Sequence, residues 1–279
     1  MVLSGANANL DDSSSVTVNG TLNFAGYTGA SADTTLDIMD RNIMQLNNLS
    51  GTDGVIVGTG KDLILNNDEM TKFIGSITAK TIEKTGDGTL KIYTGAAGQV
   101  DAQSLVVSSG NLDFKGYLTG GITVDANAVF SPGNSVGEAT FGGGYILNDG
   151  ATLLMEIGGS DVESNDSLYN TTENGTLTIN GMIDLVLASN STLKGGDEFV
   201  SVLSGSNSGD DGFAANLLSK VNSYYFTDLE YVQLDASYGD YSGKYAIKGI
   251  LNANAVPEPS TWALMALGVA GLMYWRKRK

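Results

Sequence analysis

The chain has 279 residues with no cysteine and no histidine, and its formal net charge is −16 at pH 7. The lack of cysteine excludes disulfides, thiolate nucleophiles and zinc–sulfur sites. The lack of histidine removes the usual general base near neutral pH and the commonest metal ligand. A surface this acidic repels the phosphates of nucleic acids, so we expect no nucleic-acid partner.

The composition favours short strands joined by many turns. The sequence contains 37 glycines, only 16% of its residues are charged, and Asn, Ser, Thr and Asp are abundant. These residue types dominate turns between strands. The hydrophobic content of 42% and the alternation of Val, Ile and Leu argue against disorder.

The beginning of the sequence lacks a recognisable secretory signal. Residues 1–7 contain neither the basic segment nor the apolar core of a secretory signal peptide. The sequence also opens in the middle of its strand pattern. We therefore expect an N-terminal truncation, with a signal peptide and further repeats upstream.

Short units of the form Gly-x-Leu, followed by alternating apolar residues, recur along the chain. They lie at 20–26, 88–95, 110–116, 150–157 and 175–181, and further apolar units lie between them at 55–57, 63–65 and 122–130. The first apolar positions, Leu90, Leu112, Val129, Leu153 and Leu177, are 22, 17, 24 and 24 residues apart, which gives an irregular period near 22.

Each unit is too short to bury its own apolar face. Stacked coils solve this problem, because strands of successive coils pair in parallel about 4.8 Å apart and their inward side chains form a continuous column. Gly and Asn suit the corners, since they adopt left-handed backbone conformations. The repeats thus predict an all-β parallel β-helix, or solenoid, over residues 1–190. A β-sandwich of hairpins is the alternative.

Two segments carry a family resemblance. Lys84-Thr-Gly-Asp-Gly-Thr-Leu90 and Ser131-Pro-Gly-Asn-Ser135 resemble elements of the autotransporter-associated β-strand repeats of bacterial passenger domains. The resemblance extends over about residues 49–187. It implies that the parallel β-helix is right-handed.

From residue 191 to residue 255 the pattern changes. The sequence predicts a strand at 196–203, an acidic loop at 205–212, a helix at 213–221 and closing strands at 224–226, 231–234 and 245–250. An open end of a solenoid is a sheet edge that invites aggregation. We therefore expect 191–255 to be a C-terminal cap and linker.

Residues 256–279 form a third region with an apolar run. The run from Trp262 to Trp275 has 14 residues, about 21 Å of helix, which is short for a bilayer core of about 30 Å. Trp262 and Trp275 suit the two membrane boundaries, and a cytoplasmic basic end follows. That end is Arg276, Lys277, Arg278 and Lys279. We predict a single transmembrane helix; a buried core helix and a permanent tail anchor are the alternatives.

The residues before this run form a second recognisable motif. Pro257 and Pro259 favour extended backbone at Val256 and Glu258, which is a shape that a protease can bind. The motif comprises Val256, Pro257, Glu258, Pro259, Ser260 and Thr261. Together with the run and the basic end, it resembles the PEP-CTERM sorting signal of bacterial exported proteins. That resemblance implies an exosortase and the inner membrane as partners, with delivery to the cell surface or the exterior.

Few residues suggest a catalytic or metal-binding site. Residues 57–65 partly match a calcium-binding nonapeptide, but a single imperfect copy predicts an ordinary turn. The pair Asp210 and Asp211 predicts a solvated loop. Asp161, Glu163 and Asp166 form an acidic cluster that we interpret as insertion-loop charge. We expect no catalytic residue, no cofactor and no metal.

Tyrosines provide the main alternative function. Tyr224, Tyr225, Tyr231, Tyr238 and Tyr241 could stack on sugar rings, or they could simply pack the cap. We therefore predict an exported, non-catalytic surface or extracellular-matrix solenoid with a structural or adhesive role. The alternative is a polysaccharide-binding or polysaccharide-degrading β-helix protein, with exopolysaccharide or cell-surface glycans as partners. An ice-binding function is not supported, because the sequence does not contain the Thr ladder, repeated from coil to coil, that an ice-binding β-helix would present.

Overall fold

The structure, a computed structural model, describes residues 21–23, 43–95, 98–133, 136–172 and 175–253. These residues are mostly β, as predicted, with few helices. The first strands are β1 (Thr21–Asn23), β2 (Ile43–Asn47), β3 (Gly51–Asn66), β4 (Thr71–Thr85), β5 (Thr89–Tyr93), β6 (Val100–Asp101), β7 (Ser104–Val107), β8 (Asn111–Leu118) and β9 (Gly121–Val124). The next are β10 (Val129–Ser131), β11 (Glu138–Phe141), β12 (Tyr145–Leu147), β13 (Thr152–Ile157), β14 (Ser167–Asn170), β15 (Leu177–Ile179), β16 (Met182–Leu187), β17 (Glu198–Ser204), β18 (Val221–Asn222), β19 (Phe226–Gln233) and β20 (Tyr245–Leu251). Helix α1 is Phe213–Leu218, and two 3₁₀-helices are Val162–Ser164 and Ala236–Tyr241.

Strands pair in parallel with strands of the preceding and following coils, which produces three ladders. The first ladder contains β1, β3, β4, β6, β8, β11, β14 and β17. The second contains β2, β3, β4, β7, β9, β12 and β15. The third contains β4, β5, β8, β10, β13, β16 and β18. The long strands β3, β4 and β8 each belong to more than one ladder.

The pairing register aligns buried side chains along the stack. In the third ladder Leu90 pairs with Leu112, Leu112 with Phe130, Phe130 with Leu153, and Leu153 with Ile183. All five are buried. The coils in this ladder are therefore 22, 18, 23 and 30 residues long, because the corners between strands differ in length.

The first apolar residue of a unit does not always lie in the column of the third ladder. Val129 lies one residue before the true core position, Phe130, and its side chain is only partly buried. Leu177 is buried, but it pairs with Tyr145 in the second ladder and not with a residue of the third ladder. Successive side chains of a strand point to opposite faces, so an error of one residue reverses the predicted direction.

The main core is a continuous cluster that extends from the coils into the C-terminal strands. A second, smaller cluster comprises Val162, Val200, Val202, Leu234 and Ala246. Aromatic side chains fill the middle of the main core, with ring centroids of Phe114 and Phe130 6.5 Å apart and those of Phe130 and Tyr145 5.7 Å apart. The buried Tyr145 hydroxyl has no hydrogen-bond partner among the described residues. Its burial raises the pKa of Tyr145 well above the ordinary value.

One lysine occupies a core position. Lys84 stands in register between Leu65 and Val107 and is only 1% exposed. Burial lowers the pKa of Lys84 to about 8, although the charges of Asp68 and Asp87 act in the opposite direction. A cation at this depth requires hydrogen-bond acceptors.

The corner of the stack supplies these acceptors. The Lys84 ammonium donates to the carbonyl oxygens of Thr85 at 2.9 Å, Gly86 at 2.7 Å and Ser109 at 3.1 Å. Gly110 has a φ of +63°, and a Cβ there would lie 2.8 Å from the Lys84 ammonium. The Lys-Thr-Gly motif therefore joins the corners of two successive coils.

The pairing direction changes at the C-terminal end. Strand β17 pairs in parallel with β14 but antiparallel with β20, and β19 pairs antiparallel with the other side of β20. Helix α1 packs against β19. The predicted helix at 213–221 ends earlier, at Leu218, because β18 begins at Val221. The division into regions 1–190, 191–255 and 256–279 stays a prediction.

The outer strand of this antiparallel sheet is irregular. Its register shifts between Thr227 and Glu230, and Asp228 adopts a φ of +52°. Bulges and charged residues on an edge strand hinder pairing with another chain. Among the described strands, the register places β19 beside β20 alone, so this edge is protected in the way that natural sheet edges usually are.

A side chain ends the second ladder. The Asn207 carbonyl oxygen accepts from the Leu177 amide at 2.8 Å, and its amide nitrogen donates to the Leu177 carbonyl at 2.9 Å. This pair of bonds imitates a neighbouring strand. The last coil thus satisfies its backbone without a further strand at this point.

In the described ranges no helix is both long and apolar enough to cross a membrane. The predicted transmembrane helix at 262–275 lies outside those ranges.

Two buried tyrosines provide a test of the core. The Tyr231 hydroxyl donates to the Leu203 carbonyl at 2.6 Å and lies 2.8 Å from Ser208 Oγ, whereas the Tyr145 hydroxyl is unpartnered within the described structure. We expect Tyr231→Phe to lower the free energy of unfolding by about 1–2 kcal/mol, because it leaves buried acceptors without a donor. Tyr145→Phe should leave it unchanged or raise it. Urea unfolding followed by circular dichroism measures both, and equal losses would contradict this assignment.

Candidate functional site

A cleft of about 840 Å³ lies between the parallel coils and the C-terminal antiparallel sheet, and we call it the acidic cleft. Five of its lining residues are carboxylates and three are tyrosines. The lining residues are Glu138, Ser160, Asp161, Val162, Glu163, Tyr169, Glu198, Val200, Ser237, Tyr238, Gly239, Asp240 and Tyr241.

One wall of the acidic cleft is the insertion that follows β13, and Asn165 fixes its shape. The Asn165 side-chain oxygen accepts from the amides of Gly158 at 2.8 Å and Gly159 at 3.1 Å. Its side-chain nitrogen lies 2.9 Å from the carbonyl oxygens of Gly159, Asp161 and Val200. Asn165 is buried, so this network ties the insertion to β17.

Asp166 attaches the same insertion to the coils. Its carboxylate accepts from the amides of Gly137 and Glu156, each at 2.8 Å. Burial raises the pKa of Asp166 to about 8; the two amide bonds oppose this rise, and the charges of Glu156 and Asp113 add to it. The prediction that Asp166 is loop charge is therefore wrong. Asp161 and Glu163 are exposed, as loop charge would be.

The opposite wall comes from the 3₁₀-helix Ala236–Tyr241. The Tyr241 hydroxyl donates to Glu138 Oε2 at 2.9 Å, which joins this helix to β11. The Tyr241 and Tyr169 rings meet edge to face, 6.0 Å apart. The hydrogen bond between Tyr241 and Glu138 connects residues that are 103 positions apart, so no local sequence pattern indicates it.

Two lysines lie over the tyrosine rings. The Lys244 ammonium is 4.6 Å from the ring centroid of Tyr169, and the Lys248 ammonium is 5.0 Å from that of Tyr238. Burial first, and the Glu138 carboxylate next, raise the pKa values of Tyr169 and Tyr241 above their ordinary values. Both phenols thus stay protonated near neutral pH and keep their donor hydrogens.

The acidic cleft combines carboxylate acceptors with aromatic rings and hydroxyl groups. Ligand sites commonly combine apolar and aromatic surfaces with a few convergent polar groups. Such a lining suits a polyhydroxylated ligand, whose hydroxyl groups donate to carboxylates. Five carboxylates also disfavour an anionic ligand.

The five predicted tyrosines do not form one group. Tyr238 and Tyr241 lie in the acidic cleft with Asp161 and Glu163. Tyr231 is buried in the core, where it packs as the alternative interpretation requires. Tyr224 and Tyr225 form a separate pair with ring centroids 5.1 Å apart.

The structure also locates the residues considered for calcium. Residues 57–65 lie within β3 rather than in the predicted turn, and Asp62 accepts from Thr81 Oγ1 at 2.7 Å and lies 3.8 Å from the Lys80 ammonium. Asp210 and Asp211 are exposed. The described part of the chain contains no group of three or more Asp or Glu residues arranged to hold a metal ion.

The last described strand leads to the predicted sorting signal. Strand β20 is the middle of the three antiparallel strands, and it ends at Leu251. The next amide, that of Asn252, donates to the Tyr225 carbonyl at 2.8 Å. The motif 256–261, the run 262–275 and the basic end 276–279 lie outside the described residues.

Comparison with known families finds one match. Residues 255–279 match the PEP-CTERM protein-sorting motif, which includes every residue of the predicted signal. The match indicates an exported bacterial protein that an exosortase sorts at the membrane and that reaches the cell surface or the exterior. No curated protein matches the chain. The resemblance to autotransporter-associated repeats stays a prediction.

The buried Asp166 makes stability depend on pH. Its pKa in the folded protein is about 8, above the ordinary 3.8, so the folded state retains a proton that the unfolded chain releases. This stabilising contribution is complete below about pH 4 and is lost as the pH rises through about 8. Between pH 5 and pH 8, the free energy of unfolding should therefore fall more in the native protein than in Asp166→Asn.

Chemical denaturation at several pH values measures this difference. Asp161→Asn removes an exposed carboxylate from the same insertion and serves as the matched control, which should follow the native pH dependence. Parallel curves for the native protein and Asp166→Asn would contradict the assignment.

Proposed function

We propose that this protein is an exported, non-catalytic surface or extracellular-matrix protein whose body is a right-handed parallel β-helix with a structural or adhesive role. The match of residues 255–279 to a protein-sorting motif carries the proposal. An exosortase cleaves the chain at this motif after the terminal apolar run has held it in the inner membrane.

The parallel ladders support a rod-like body. The second ladder contains seven strands, from β2 to β15. At about 4.8 Å per strand, this ladder is about 30 Å long. A stack of coils can present the same surface repeatedly along its length, which suits a spacer or an adhesive surface.

The polar groups of the body support a non-catalytic role. The buried Lys84 and Asp166 bond mainly to backbone groups, so both have a structural explanation. The sequence has no histidine to act as a general base. Arg41 is the only arginine before the terminal basic end. The body of the protein therefore offers few cationic side chains that could bind an anionic substrate.

The sorting motif follows the folded sheet closely. Five residues separate Leu251, the end of β20, from Pro257. At about 3.3–3.6 Å per residue, Pro257 can be no more than about 20 Å from the end of the strand. The enzyme must therefore act close to the folded C-terminal sheet or approach from its membrane side.

Replacing Pro257, Glu258 and Pro259 together by alanine tests the sorting step. We expect processing to stop, because the alanines remove the extended prolines and the carboxylate that the enzyme would recognise. The unprocessed chain should accumulate in the membrane fraction of exporting cells, with an increased mass. Mass spectrometry and fractionation measure both results.

A matched control replaces the exposed Asp210 and Asp211 by alanine, which should leave processing intact. If the triple alanine variant keeps the native mass and location, the proposed sorting step is wrong.

A second candidate function is polysaccharide binding at the acidic cleft. The observation that favours it is the meeting of Tyr238 and Tyr241 with Asp161, Glu163 and Glu138 in one concave site. The surplus of carboxylates favours neutral or amino-sugar polymers over acidic ones. This function would give the rod a specific partner at the cell surface.

Calorimetry with a panel of neutral, amino and acidic polysaccharides tests this candidate. The double variant Tyr238→Ala and Glu163→Gln should weaken binding at least about tenfold, because it removes a ring and a carboxylate acceptor that line the cleft. Tyr224→Ala combined with Glu230→Gln makes the same changes outside the cleft and should bind normally. Turnover of a polysaccharide that depends on a cleft carboxylate would overturn the non-catalytic assignment.

A further inference from the structure

An exposed aromatic pair lies where the chain leaves the folded C-terminal sheet. Tyr224 is 79% exposed, more than any other large hydrophobic side chain in the described residues. Its ring meets that of Tyr225 at 5.1 Å and nearly at a right angle, 86°. Tyr225 is partly buried against the core, so it gives Tyr224 a fixed support.

Backbone bonds hold this pair beside the end of β20. Phe226, the residue after the pair, is in register with Leu251, the last residue of β20. The Asn252 amide donates to the carbonyl oxygen of Tyr225 itself. The chain thus passes directly beside the two rings as it leaves the sheet.

The membrane segment of the proposed function begins shortly afterwards. Ten residues lead from Asn252 to Trp262, the first residue of the apolar run. At about 3.3–3.6 Å per residue, they extend no more than about 35 Å, so Asn252 stays within about 35 Å of the membrane boundary while that run is inserted.

The chemistry of the pair fits a bilayer surface. Tyrosine is enriched at water–membrane boundaries, where its ring contacts the acyl boundary and its hydroxyl stays hydrated. The net charge of −16 makes a general electrostatic attraction to anionic lipid unfavourable. An aromatic contact next to the exit of the chain is a way for this acidic protein to adopt one orientation on the membrane.

We propose that Tyr224 and Tyr225 are the membrane contact of the C-terminal sheet. They hold its exit face on the bilayer surface while the terminal run is inserted, and they keep the 257–259 peptide within reach of a membrane enzyme. The proposal rests on the proposed function, since it requires the inserted run.

The absence of cysteine from the sequence permits a direct test with nitroxide labels. A label is attached to Asn222→Cys, two residues before the intact pair, in the full-length chain. A control label is attached to Met70→Cys, whose native side chain is also exposed, at 71%. Met70 lies just before β4, among the parallel coils, and not in the C-terminal sheet. Both proteins are reconstituted into vesicles of phosphatidylethanolamine and phosphatidylglycerol.

Collisions with a water-soluble nickel chelate and with lipid-soluble oxygen report the surroundings of each label. We expect the label at 222 to lose nickel collisions and gain oxygen collisions relative to the label at 70. Adding Tyr224→Ser to the 222-labelled chain should return its label to water. Quenching of tryptophan fluorescence by brominated lipids reports insertion of the terminal run in the same samples, since Trp262 and Trp275 are the only tryptophans.

The outcomes separate the two proposals. A water-exposed label at 222 in a sample whose tryptophans are quenched would overturn the membrane contact and leave the proposed function standing. Unquenched tryptophans would overturn both. Shielding of the 222 label by added polysaccharide, but not by vesicles, would overturn the membrane contact and assign the pair to a glycan.

Discussion

In-register parallel pairing between successive coils is the constraint on which the rest of this structure depends. Strands as short as β10 and β12 cannot bury their apolar faces alone. Pairing aligns Leu112 with Phe130 and then with Leu153, so each coil covers the core of its neighbour. A slip of one residue would turn this column toward solvent. The same register places Lys84 between two core residues, and the carbonyl oxygens at the corner compensate for its burial.

Local features could be predicted from the sequence, and long-range ones could not. Glycine-bounded apolar alternation indicated the strands. The changed pattern after residue 191 led to the prediction of a cap, but it did not indicate that β17, β19 and β20 pair antiparallel. Val129 is the first apolar residue of its unit, but its neighbour Phe130 is the core residue, and only the partner strands decide between them. The burial of Asp166 depends on amides from β13 and from the segment before β11. The acidic cleft depends on Glu138 and Tyr241, whose separation of 103 residues hides their contact from any sequence pattern.

The C-terminal sheet connects the architecture to the export route. Its middle strand, β20, is bonded on both sides and leads directly to the segment that matches the sorting motif. The sheet therefore fixes where the chain leaves the described part of the structure. The proposed membrane contact and the acidic cleft both involve this sheet, whereas the coils provide length. In the proposed function, sorting and recognition are therefore concentrated at the C-terminal sheet.

Pulsed electron resonance between nitroxide pairs tests the stacking most directly. Gln45, Glu83 and Thr178 are positions of the second ladder on strands β2, β4 and β15. Gln45 and Thr178 are six strand spacings apart and Glu83 and Thr178 are four, so parallel stacking at about 4.8 Å predicts separations near 29 Å and 19 Å between cysteine-attached labels. If the 45–178 distance exceeds the 83–178 distance by about two strand spacings, parallel stacking of the coils is supported. Nearly equal distances, or a shorter distance for the 45–178 pair, would contradict it.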